Sequence, residues 1–88
     1  MHECLATMDS GNFAVALAHN LKTEGYDARV IPTPCRISRT GCGYCIRILE
    51  NHIPVLFNKS SQMGYVIREI YRVETHNGKT KYVLIYPA

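Results

Sequence analysis

Hydrophobic positions change their period several times along this chain. "ECLATM" (Glu3 to Met8) is a short apolar run closed by the turn-forming "DSGN", which predicts a strand. In "SGNFAVALAHNLKTEG", Phe13, Leu17 and Leu21 recur at helical spacing with Ala14 and Ala18 beside them. Ser10 is placed to cap that helix and Gly25 to stop it. His19 falls off the apolar line and is expected at the surface. "DARVIP" predicts a second strand, ended by Pro32 and Pro34. "YCIRILE" alternates Cys45, Arg47 and Leu49 against Tyr44, Ile46 and Ile48, a third strand. "NHIPVLF" fits either an extension of that strand past a bend at Pro54 or a short strand of its own. "KSSQMGYVIREIYRVE" places Met63, Val66, Ile67, Ile70 and Tyr71 at three-and-four spacing, which predicts a second helix capped by Ser60 or Ser61. Asn77-Gly78 marks a turn, and "YVLIYP" is the last strand.

The resulting order, β-α-β-β-α-β, predicts an α+β fold of the ferredoxin-like, split β-α-β kind. Four strands would form one antiparallel sheet with both helices on one face. In that topology the first two strands point the same way. The turn at Asp9 to Asn12 should then lie at the same end of the sheet as the loop after the second strand.

Eighty-eight residues suit a single domain, 1–88. A chain of this size buries roughly 60% of the surface it exposes when unfolded. With 47% apolar and 19% charged residues, the composition is that of a folded domain. No apolar run approaches the ~20 residues of a membrane span, and the N-terminal stretch lacks a basic start followed by an apolar core. A cytoplasmic location is the expectation. The net charge of +3 is mild and its carriers are spread, whereas a nucleic-acid binder usually shows a denser basic stripe. The RNA-recognition motif shares this element order, but "GCGYCIRIL" offers only Tyr44 where that motif needs several stacking aromatics. Nucleic acid is not the expected partner.

Candidate chemistry concentrates in "IPTPCRISRTGCGYCIRI", residues 31–48, which holds three of the four cysteines and three arginines. The thiolate is the reactive form of cysteine, and adjacent cations or a helix N-terminus favour it. Arg36 adjoins Cys35, and Arg39 lies three residues before Cys42. Gly41 and Gly43 leave Cys42 free of neighbouring side chains, making it the best-presented thiol, with Cys35 near enough to resolve a bond to it. Cys4, on a strand, belongs to the expected core, and Cys45 divides evenly between core and site.

Metal binding is the competing reading. Cys42 and Cys45 form a lone CxxC, and Cys35 can add a third ligand for zinc. A second CxxC is missing, so a fourth ligand would come from Cys4, His2 or His76. A thioredoxin-type CxxC follows a strand and opens a helix, whereas this one opens a strand.

"ATMDSGNFAVALAHNLKTEGYDARVIPTPCRIS" followed by "GCGYCIRI" resembles the pattern of a family of small bacterial proteins, a domain of unknown function described as selenium/sulfur carrier-like. The resemblance covers about Leu5 to Ile48, with Pro34, Ile37, Ser38, Cys42 and Gly43 matching best and Cys35 matching a subset. Arg39-Thr40-Gly41 is one residue longer than usual, and the chain from Asn51 onward matches poorly. The resemblance implies a relay with no turnover of its own. Cys42 would accept sulfur or selenium as a persulfide or perselenide, Cys35 would resolve or share it, and Arg36 and Arg39 would steady the anion. Donor and acceptor proteins would be its partners. A small zinc-binding or regulatory module on Cys35, Cys42 and Cys45, and a partner-docking module with incidental cysteines, are the alternatives. The last strand offers an edge on which a second copy can pair.

Overall fold

The computed structural model describes residues 2–38 and 43–87. Strand β1 (Glu3–Met8) leads into helix α1 (Gly11–Thr23), then β2 (Arg29–Pro32) and β3 (Tyr44–Leu49). A 3-10 turn at Glu50–His52 runs into α2 (Ile53–Met63), followed by β4 (Ile67–His76) and β5 (Lys79–Tyr86). The five strands make one sheet in the order β2-β3-β1-β4-β5, and every neighbouring pair is antiparallel.

The expectation of four strands is corrected to five. The second helix lies earlier than its predicted position, and most of the segment expected to be helical is strand β4. Two local signals account for the shift. Pro54 sits in the first turn of α2, where its missing N–H costs nothing. Gly64 ends the helix with φ 75°, the left-handed conformation that glycine adopts without penalty. Beyond it, β4 is buried on both faces over Ile70 and Tyr71, so its strand alternation is hidden. Asn77 and Gly78 both have positive φ, 51° and 78°. That is the pair of conformations a two-residue hairpin turn requires, and it forces a strand on either side.

Successive strand residues face opposite ways, and the sheet carries two separate apolar layers. On one face Cys4, Ala6, Ile46, Ile48 and Ile70 pack with Ala14, Leu17, Ala18 and Leu21 of α1 and Leu56 of α2. On the other, Leu5, Cys45 and Tyr71 are sealed by Ile37, which lies outside the sheet in the segment after β2. Both helices therefore cover one face, and residues 33–38, after β2, cross the other. Ser10 caps α1 as its sequence position predicts, with its Oγ accepting from the Asn12 backbone N–H at 3.1 Å. Phe13, expected on the buried stripe, instead sits half-exposed and stacks on Tyr65 at 4.5 Å between ring centroids. His19 is exposed, as its position off that stripe predicts.

Candidate functional site

The β2–β3 connection begins where Thr33 N–H donates to the Gly43 carbonyl at 2.8 Å, closing the base of the loop beside the last β2–β3 pair, Pro32 with Tyr44. A turn follows in which the backbone N–H groups of Ile37 and Ser38 both donate to the Pro34 carbonyl at 3.1 Å. That turn directs Ile37 down onto Leu5, Cys45 and Tyr71 and leaves Cys35 exposed. The Arg36 guanidinium reaches across the face and donates to the Thr80 carbonyl of β5 at 2.6 Å. Residues 33–38 are thus a strap fastened at both sheet margins.

Cys42 and Arg39, the first thiol and one of the two anion-steadying arginines expected from sequence, lie outside the described residues. The described cysteines sort sharply. Cys35 is exposed on the strap, while Cys4 and Cys45 are fully buried on opposite faces of the sheet. Burial pushes the Cys45 thiol up, partly offset by a hydrogen bond from the Thr33 side chain. Cys4 is pushed up to about 11 by burial and by the nearby Glu50 carboxylate, against a smaller opposing effect of Arg72. Neither buried sulfur is a thiolate at neutral pH, so neither offers the reactive form.

Arg36 stays beside Cys35 in the chain but commits a nitrogen to β5. Arg47 pairs with Glu3 on the strap face, toward the end of the sheet away from the loop. The α1 N-terminus lies at the loop end of the sheet, against Tyr44 at the start of β3. Gly11 packs so closely on the Tyr44 ring that a Cβ there would come within 3.2 Å of Cδ2. Beside it Asp9, held well below the usual carboxylate range by its hydrogen bonds with Arg68, receives both Nε and Nη2 at 2.7 and 2.8 Å.

The candidate fourth metal ligands do not converge on the loop. Cys4 faces the helices. His2 and His76 stand at the far end of the sheet, 3.7 Å from Glu50 and 3.4 Å from Glu74, in a chain of ion pairs that Arg72 bridges. Among the described residues no three His, Cys, Asp or Glu side chains gather as a metal site.

Sequence reasoning missed two contributors. Ile37 was read only as a matching position, yet it is the plug over Cys45; an apolar residue isolated in a polar loop is the signal that marks it. Thr80, whose carbonyl anchors the strap, lies in a strand whose pairing depended on recognising β4.

The arrangement defines a small α+β domain that presents one thiol on an anchored loop and buries the two others described. The chain belongs to the family described as "Putative Se/S carrier protein-like", whose model matches residues 3–72. That match runs through α2 and into β4, well past the Leu5 to Ile48 stretch where the resemblance is visible by eye. No curated protein and no solved structure matches the chain significantly.

Proposed function

We propose that the β2–β3 loop carries sulfane sulfur or selenium on a cysteine, as a persulfide or perselenide, between a donor and an acceptor protein in the bacterial cytoplasm. Cys42 is the acceptor in this reading, Cys35 resolves or shares the cargo, and Arg36 and Arg39 steady the anion. The observation that carries it is the sorting of thiols. Within a selenium/sulfur carrier-like family, this fold buries Cys4 and Cys45 and leaves Cys35 exposed on the loop. Exposure matters because a carrier thiol has to meet two partners in turn. The loop end of the sheet also keeps Phe13, Tyr44 and Val66 partly or largely exposed, apolar surface suited to transient docking. Strands β2-β3-β1-β4 fit the split β-α-β arrangement with β5 added outside β4, and a homodimer would use the free edge of β5.

The test is loading from a radiolabelled sulfane-sulfur donor enzyme or from glutathione perselenide, which hands over its outer selenium and leaves as glutathione, read by label and by intact mass, where one sulfur adds about 32 Da. Wild type should load to one equivalent, and Cys42→Ser should not. Full loading of Cys42→Ser removes Cys42 from the role. Absence of label on wild type from both sources rejects the carrier reading. A native-only gain of about 65 Da, lost to a chelator, would instead establish zinc.

A further inference from the structure

We propose that Cys45 is a latent internal reductant, and that the strap of residues 33–38, through Ile37, keeps it from discharging sulfur held on the neighbouring loop thiol Cys35. The inference rests on the carrier reading and adds to it a reason for burying a cysteine directly beneath the carrying loop.

Three observations place the parts. Cys45 is fully buried with Leu5, Tyr71 and Ile37 over it. Cys35 is exposed, two residues after Thr33, whose backbone N–H is fixed to Gly43 beside Cys45, and two residues before the plug Ile37. Two residues span at most about 7 Å, so when Ile37 leaves its seat on Cys45 the Cys35 side chain, two residues away, can turn into the space it vacates. Finally, among the described residues the strap is held by the Thr33–Gly43 backbone bond, the Arg36–Thr80 bond and the side chain of Ile37.

The chemistry is self-contained. The Cys45 sulfur attacks the Cys35 Sγ of a Cys35 persulfide anion. The bond between the two sulfurs of the persulfide breaks, and its terminal sulfur leaves as hydrosulfide with the electron pair and the proton from Cys45. The sulfane sulfur is reduced and the two cysteines become a disulfide, so no outside oxidant is needed. A perselenide would release hydroselenide by the same step. Such a reaction wastes cargo when it is spontaneous. Burial blocks it twice, by denying approach and by holding Cys45 as the unreactive thiol. Both barriers fall together when Ile37 leaves its seat.

The experiment uses the full chain carrying Cys42→Ser, so that Cys35 is the loop thiol. It is loaded chemically with inorganic polysulfide, freed of excess reagent, and followed by hydrosulfide release and intact mass. The parent should hold its sulfur. Ile37→Ala should release hydrosulfide faster by roughly tenfold or more and accumulate a Cys35–Cys45 disulfide, because local opening sets the rate. Adding Cys45→Ala to Ile37→Ala should restore slow release. Equal retention in Ile37→Ala, or fast release that survives Cys45→Ala, overturns the proposal. Should Ile37→Ala fail to fold, the parent and Cys45→Ala are compared in sub-denaturing urea, where only the parent should discharge; equal discharge overturns the proposal. Chemical loading needs only an accessible thiol. A failed guard therefore leaves enzymatic loading, the test of the carrier reading, untouched, and the reverse also holds.

Discussion

The two faces of the sheet each bury one cysteine, by different means. Cys4 lies under two helices, in a layer with Ala14, Leu17, Leu21 and Leu56 at zero exposure. Cys45 lies with Leu5 and Tyr71 under Ile37 of the strap, with Ile31, Val73 and Tyr82 packed around them. The helix face draws on many apolar neighbours that lock one another in place, so opening it requires unfolding the domain. Among the described residues the strap face is closed by Ile37 and a few hydrogen bonds, and can open locally. Stability and access to chemistry are thereby assigned to opposite sides of the same sheet.

The comparison breaks first if the helix face proves soft. Leu56→Ala should cost roughly 2–5 kcal/mol, the range for a fully buried leucine in a close-packed layer. Urea unfolding measures it, and a loss under 1 kcal/mol would mean that α2 is not locked against the sheet.

The next effect is an alkaline pH dependence to which both buried thiols contribute and of which the helix face supplies the Cys4 share. Cys4 is raised from 9.0 to about 11, so the native state keeps its proton where the unfolded chain releases it. The contribution of that burial is fully present below pH 9 and is lost as pH rises from 9 to 11. About two units correspond to roughly 2–3 kcal/mol. Cys4→Ala should flatten the alkaline decline by that amount relative to wild type. Equal slopes would show that the thiol is not desolvated.

Third, Ile37→Ala should cost about 1–2 kcal/mol, less than Leu56→Ala, because a surface strap can settle into the space left behind. Its larger consequence should be kinetic. Cys45 should become open to alkylation at a rate nearer that of Cys35, while Cys4 stays protected. Simultaneous exposure of Cys4 and Cys45 would mean that the faces open as one unit.

How much of this division could be read in advance follows from where each signal sits. Ser10, Leu17, Leu21 and Gly25 speak locally, and α1 with its cap follows from them. The common direction of β1 and β2 follows from the element order, and with it the approach of Gly11 to Tyr44. Strand β4 was illegible by periodicity, because Ile70 and Tyr71 are buried on opposite faces and mimic helical spacing. The Asn77-Gly78 pair carried the correction, since a two-residue turn of that kind joins strands and not a helix to a strand. At the loop, residue type marked the thiols and the nearby charge. What separates Cys35 from Cys45 is the descent of Ile37, which the sequence marks only as an apolar residue isolated in a polar loop and whose seat is a tertiary contact. The direction of Arg36 is likewise set by a carbonyl 44 residues away.

The smallest expected effect discriminates most finely. Arg36→Ala removes one exposed hydrogen bond to a neutral carbonyl, so global stability should change by no more than about 1 kcal/mol. If the strap opens on its own, the effect should appear locally. The Ile37 and Ser38 amides, which donate to the Pro34 carbonyl, should exchange with solvent faster, while amides within α1 keep their wild-type rates. Arg36→Lys should recover only part of the protection, because a single flexible ammonium replaces a planar donor set. Faster exchange at α1 in step with the strap would refute independent opening, since a change confined to the Thr80 contact would then be felt through both layers of the sheet. Faster exchange at Ile37 alone would place the plug, and not the fold as a whole, in control of when Cys45 meets the loop.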